Sequence, residues 1–468
     1  VGRKRLDWGG TRRARAGAWS APAMFGFTEL EVRTYLILTL CGGLQILINQ
    51  IEQPYARSLI VCDTPVNTTL GAEPSGSDHC GDRLHVIGEG ARLSGGGDSL
   101  ENCGRFIITL FVSGFADSHG RKAAAIVGWV FITASVFLFF LASFIKPWAK
   151  VFFIAAQGLQ GMSGIGLIVE IVTRDIAAQI GGDTTAVYTR KNGLGMFLGF
   201  VFFGQVLYIQ YAGITEFRPV WACILTFTLV VLVGLVAVFP ETQAKENQQN
   251  KDRGSIVSIV KNEFGVYAGM LKNSQFMRCA LLEGFFNNAS GGFNIIIVPW
   301  MMAMFGYSQL ELLMMMMPLA FLGFVFNGLV PGLCGKYGHR RMWTLCYWTD
   351  KIIDYGGIPF LTYSVGWMPV PVFIQYMRSP LGGMGNIVEA SMAHLIDQKD
   401  SAKWAAMMQL NGFFTGSMFS FLFSRVFNPE ATTQVGRLAP FMLANFIKIG
   451  AVVTYARGLH SLYLEATD

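Results

Sequence analysis

Long apolar runs recur along the chain with short polar stretches between them. A helix that crosses a bilayer needs about 20 mostly apolar residues. On that rule the runs predict spans near 33–56, 99–115, 123–145, 149–172, 191–212 and 217–239. A second set follows near 276–304, 308–331, 341–363, 367–395, 403–427 and 437–463. The second run fits worst, because it opens on Glu101-Asn102-Cys103-Gly104-Arg105, which is too polar to face lipid. The polar, Gly-rich stretch 57–98 before it predicts a long outer loop, with Gly95-Gly96-Gly97 as a flexible turn. Pro240-Glu241-Thr242 closes the first set, and a segment rich in Lys, Gln, Asn and Glu follows it.

These boundaries divide the chain into a basic arm (1–29), a first bundle (30–242, with outer loop 57–98), a linker (243–275), a second bundle (276–463) and a short tail (464–468). The arm carries Arg3, Arg5, Arg12, Arg13 and Arg15 without apolar periodicity, and the first Met is Met24. It reads as a disordered arm, translated upstream sequence or a transit peptide.

The two bundles repeat one another. Gly114-Phe115-Ala116-Asp117-Ser118-His119-Gly120-Arg121-Lys122 joins two apolar runs, and a weaker copy stands at Gly332-Leu333-Cys334-Gly335-Lys336-Tyr337-Gly338-His339-Arg340-Arg341. Gly166-Leu167-Ile168-Val169-Glu170 matches Gly385-Asn386-Ile387-Val388-Glu389, and Asn192-Gly193 matches Asn411-Gly412. Asn49, Pro54 and Tyr55 match Asn294, Pro299 and Trp300. The first loop, G-x-x-D-x-x-G-R-K, resembles the signature loop of the major facilitator superfamily of transporters. That resemblance implies an all-α membrane protein of twelve transmembrane helices in two pseudo-symmetric six-helix bundles. It also implies a substrate site between the bundles and alternating access around it.

Composition agrees with a membrane protein. Apolar residues make up 52% and charged residues 14%, against about 25% charged in soluble domains. The net charge of +6 concentrates in loops that the positive-inside rule puts in the cytoplasm, so it calls for no nucleic acid. The eight Cys show no metal-ligand spacing. Cys62 and Cys80 share the outer loop with the sequon Asn67-Thr68-Thr69, so a bridge and a glycan are both open there. No nucleophile–base set or cofactor loop is visible, which excludes an enzyme and predicts no cofactor or metal.

Polar groups at membrane depth are costly and face a cavity or a partner. Gln45, Asn49, Glu52 and Gln53 share one face of the first span, and Glu283, Asn287, Ser290 and Asn294 share one face of the seventh. The resemblance puts both stripes on the central cavity. The expected substrate-binding residues are Gln45, Asn49, Gln157, Gln160, Asn287, Asn294, Gln375 and Arg378. Glu52 and Glu283 are the expected proton-coupling acids. Arg378 has two open readings: a fork for an anionic substrate group, or an ion-pair partner of Glu283, Asp350 or Asp354. Lys448 reads as a snorkelling side chain. Asp117, Gly120, Arg121, Lys122, Glu170, Arg340 and Glu389 are the expected gating residues at the cytoplasmic end, with Asp117 a latch against a helix N-terminus.

The function expected is secondary active transport of a small organic solute, an anion if Arg378 binds it, coupled to protons. The expected partners are that solute, the proton and the bilayer, with the protein a monomer. The plasma membrane is the first expectation for its location, a vacuolar or plastid membrane the second. The folate and haem-carrier symporters and the tetracycline-type antiporters are the branches it is most similar to. The alternatives are a drug–proton antiporter, or a transporter-like receptor or structural subunit.

Overall fold

The fold comes from a computed structural model. It describes residues 29–60, 82–180, 194, 204, 217–242, 264–265, 267–272, 274–382 and 401–459. The basic arm, Cys62, Cys80, the sequon, Glu389, almost all of the fifth predicted span and most of the linker lie outside those residues.

The first bundle contains α1 (Glu29–Ser58), α2 (Arg83–His119), α3 (Arg121–Ala142), α4 (Ala149–Gly161), α5 (Ile165–Ile180) and α6 (Phe217–Ala237). The second contains α7 (Gln275–Gly291), α8 (Ile297–Phe305), α9 (Gln309–Tyr337), α10 (His339–Gly356), α11 (Val370–Gly382), α12 (Ser401–Val426) and α13 (Gln434–Thr454). Ser364–Val365 and Met368–Pro369 pair as a small antiparallel hairpin between α10 and α11.

The outer loop is shorter than expected, because α2 begins at Arg83 rather than near residue 99. Asp82 starts it by accepting a hydrogen bond from the His85 amide at 3.1 Å, a side-chain cap for an orphan N–H. The Gly95-Gly96-Gly97 run is therefore helical and not a flexible turn. Glycine in a helix costs about 1 kcal/mol; close packing explains why it stands here. A Cβ on Gly97 would sit 1.2 Å from Gln157 Oε1, and one on Gly95 would sit 2.3 Å from Ser424 Cβ. These glycines let α4 and α12 approach the α2 backbone from two sides.

Two predicted spans are broken. The fourth splits into α4 and α5 at Gly164, whose φ is +60°. The seventh splits into α7 and α8 across a tight turn, Gly292–Ile295. Repeat mates anchor the two bundles in the same way. Tyr55 packs among Phe139, Phe153 and Trp221 and donates its hydroxyl to Phe139 O at 3.1 Å. Trp300 packs among Phe293 and Phe441 and donates Nε1–H to Arg437 O at 3.0 Å. Each ring carries a polar tip into a dry core and satisfies it there.

Among the described residues five helical stretches are long and apolar enough to cross a membrane, and α8 with α9 makes a sixth if that pair, bent by 120°, is one span. The helix α2 does not qualify by hydropathy. It packs against α1, α4 and α12, so protein rather than lipid covers its polar face.

Candidate functional site

A cavity of about 580 Å³ lies where α1, α2 and α4 face α7 and α12. Its walls are largely side-chain amides: Asn49, Gln50 and Gln53 from α1, Asn102 from α2, Gln157 from α4, Asn287 and Asn288 from α7, and Asn294 from the turn after it. Stripes of polar residues on α1 and α7 thus meet across one space. The bundles also touch directly beside it. Gln53 Nε2 donates to Ile295 O at 3.0 Å, and Ser99 Oγ donates to Ser417 O at 2.7 Å.

Among the described residues three carboxylates line this cavity: Glu52, Asp98 and Glu101. Glu52 is 5% exposed. Gln157 Nε2 donates to its Oε2 at 2.9 Å, while its Oε1 is buried with no hydrogen-bond partner. Behind this pair Gln160 Nε2 donates to Asn49 Oδ1 at 2.6 Å. Asn102 Nδ2 donates to Asp98 Oδ2 at 3.1 Å and to Asp98 O at 2.9 Å. Glu101 is paired with Arg105 one helical turn along. Asp98 and Glu101 were missed as site residues because residue 98 fell in the expected loop and residue 101 at a doubtful helix start. A helical register through 94, 98, 101, 102 and 105 was the available signal, since these positions share one face.

The end of the bundle that carries Gly120 is built differently. Gly120 has φ +93° and its repeat mate Gly338 has φ +83°, the left-handed region that favours glycine. Each joins two helices in a sharp reversal. After Gly120 the amides of Arg121 and Lys122 donate to the two carboxylate oxygens of Glu241, at 2.9 and 3.2 Å. Arg121 Nε donates to Asp175 Oδ2 at 3.0 Å. Glu241, from the Pro-Glu-Thr triplet, therefore caps the N-terminus of α3, where a negative charge meets the positive helix end. Glu170 lies half-buried on α5. The side chains of Asp117 and Arg340 lie outside the described residues, as does Glu389.

Comparison with known proteins bears on this arrangement. The sequence profile of the Major Facilitator Superfamily matches residues 99–421. The chain belongs to the major facilitator superfamily. Its fold is similar to that of a D-xylose–proton symporter, at TM-score 0.65 and 12% identity over 90% of this chain and 96% of that one. The human organic anion transporter MFSD10 aligns at TM-score 0.60 and 13% identity, over 91% and 99% of the two chains. The nucleoside transporter NupG aligns at TM-score 0.59 and 10% identity, over 92% and 99%. A search of curated proteins finds no significant match. The superfamily fold makes the protein an integral membrane protein and not an enzyme.

Within this superfamily fold, several expected site residues stand away from the cavity. Gln45 is half-buried on α1 and does not line it, nor does Gln160, which acts on Asn49 from behind. Gln375 faces a small space of about 30 Å³ with Trp300, Asp354 and Phe441 inside the second bundle. Arg378 is not a cavity residue either. Its Nε donates to Asp350 Oδ1 at 2.6 Å and its Nη1 to Asp354 Oδ1 at 2.8 Å. Lys351 Nζ reaches Asp350 Oδ2 at 3.1 Å, and Lys448 pairs with Asp354. Lys448 thus points into the protein and does not snorkel. Glu283 accepts from Asn287 one turn along α7 and is not among the residues that line the central space.

Proposed function

We propose that this superfamily member is a proton-coupled secondary transporter that carries a small polar solute through the central cavity by alternating access. The observation that carries the reading is Glu52. It is a buried carboxyl on the cavity wall, held by Gln157 on one oxygen and unpartnered on the other. A proton on Oε1 removes the charge that burial penalises, and it needs no additional space. Glu283 is the weaker candidate for this role, because it does not line the cavity. The D-xylose–proton symporter and the nucleoside transporter share this fold, which supports transport of polar solutes without naming the one carried here. The expected anionic solute loses its motive, since Arg378 is committed to two aspartates.

The test is uptake by reconstituted vesicles with and without an imposed proton gradient, using a panel of amines, sugars and organic acids. A solute that accumulates only with the gradient fits the reading. Glu52→Gln is then expected to lose accumulation, by about tenfold or more if the proton step is essential, while solute exchange between the two sides persists. Uphill accumulation by Glu52→Gln equal to the parent's would remove Glu52 from the coupling step.

A further inference from the structure

We infer that the solute is a cation bearing a primary ammonium, held by Asp98; this rests on the transport reading above. Charge decides the sign. The described lining of the cavity contains three carboxylates and no cationic side chain. Arg105 is spent on Glu101, and Glu52 discharges when it takes the transported proton. That leaves Asp98. Its side-chain partners are neutral, the Asn102 amide and the Ser420 hydroxyl, and among the described residues no cation lies within ion-pair distance of it. A carboxylate in a cavity between two bundles, whose nearby cation Arg105 is in direct contact with Glu101 instead, calls for a counter-ion from the solute.

Hydrogen-bond supply points the same way. The buried groups of this wall that lack a partner are acceptors, Glu52 Oε1 and Gln157 Oε1, on side chains 5% and 2% exposed. Their missing partners are donors. The lining also separates a primary ammonium from a quaternary one. A quaternary ammonium has no N–H and is recognised by aromatic faces, but none of the described lining residues is aromatic. An –NH₃⁺ group has three donors and no acceptor, which suits Asp98 among amide and hydroxyl oxygens.

The experiment measures stabilisation of the purified full-length protein by ethanolamine, choline, 1,3-diaminopropane, glucosamine, glucose and glucuronate. Thermal midpoint and titration are the readouts, and proton-driven uptake of the same compounds is measured in vesicles. At least one of the three primary amines is expected to raise the midpoint, while choline, glucose and glucuronate leave it unmoved. Asp98→Asn should weaken amine binding by about tenfold or more, because a charge-assisted hydrogen bond is lost. Asp98→Glu should keep most of it. Stabilisation by glucose or glucuronate equal to that by glucosamine overturns the inference, and so does no effect from any amine. The wild-type series decides this even if Asp98→Asn does not fold. Amine binding without proton-driven uptake would defeat the transport reading and leave the amine site standing. Uphill uptake of glucuronate alone would do the reverse.

Discussion

Among the described residues, two groups of buried charges are built on opposite plans. The central cavity holds Glu52, Asp98 and Glu101 around about 580 Å³ of space, with one guanidinium nearby. The cluster on α10, α11 and α13 holds Arg378, Lys351 and Lys448 against Asp350 and Asp354, beside only about 30 Å³. In the cluster every charge has a partner within reach. In the cavity Glu52 keeps one oxygen without a hydrogen-bond partner, and among the described residues Asp98 has no cation in ion-pair contact. Charge at membrane depth is therefore a poor guide to a transport site on its own. Space and unmet hydrogen-bonding capacity separate a site that exchanges ligands from one that ties helices together.

The sharpest way to break this comparison is to unbalance the cluster. Asp354→Ala would leave Arg378 and Lys448 facing each other without their shared carboxylate. Removing one partner of a buried ion pair costs about 3–5 kcal/mol, so this variant should unfold at far lower denaturant or fail to accumulate. An unfolding midpoint equal to the parent's would mean the cluster is not a structural tie. A smaller effect is expected in the cavity wall from Gly97→Ala. The added methyl meets Gln157 Oε1, and overpacking costs about 1–3 kcal/mol. Because Gln157 is also the donor to Glu52, proton-driven uptake should fall more than stability does; equal losses would argue for packing alone. The smallest change belongs to Glu241→Gln, at the solvated end of the bundle. It keeps the shape of the α3 cap but removes its charge, worth about 0.3–1 kcal/mol. A double variant with Asp175→Asn should show whether the cap and the Arg121–Asp175 pair act together.

The bundle architecture was legible in the sequence because hydropathy reports lipid contact. It worked for α1, α3, α6 and α13, which clear the hydropathy test in the structure. It failed where a helix is covered by protein. The start of α2 carries Arg83, Glu89, Arg92 and Asp98, so no apolar run announced it. The paired loop glycines were readable because Gly120 and Gly338 share one backbone need, a positive φ. Arg378 was not resolvable from sequence. Its partners are Asp350 and Asp354, a full helix away in the chain, and the choice between substrate fork and ion pair depends on which way α11 is turned. The polar stripe of α1 was readable in part: Asn49 and Glu52 reach the cavity, while Gln45 on the same face lies beyond it.

The polarity of α2 also bears on how the chain is made. Charged side chains each cost about 2.5–3.5 kcal/mol when a lone helix partitions into a bilayer, and α2 offsets part of that by pairing Arg92 with Glu89 and Arg105 with Glu101 along its own surface. The remainder is relieved only by neighbours. Of these, α1 is already made and α4 follows soon after, but α12 comes much later in the chain. During biogenesis the second span thus waits, half-sheltered, for the eleventh expected span to arrive, and a polar helix goes without its full set of contacts until α12 follows.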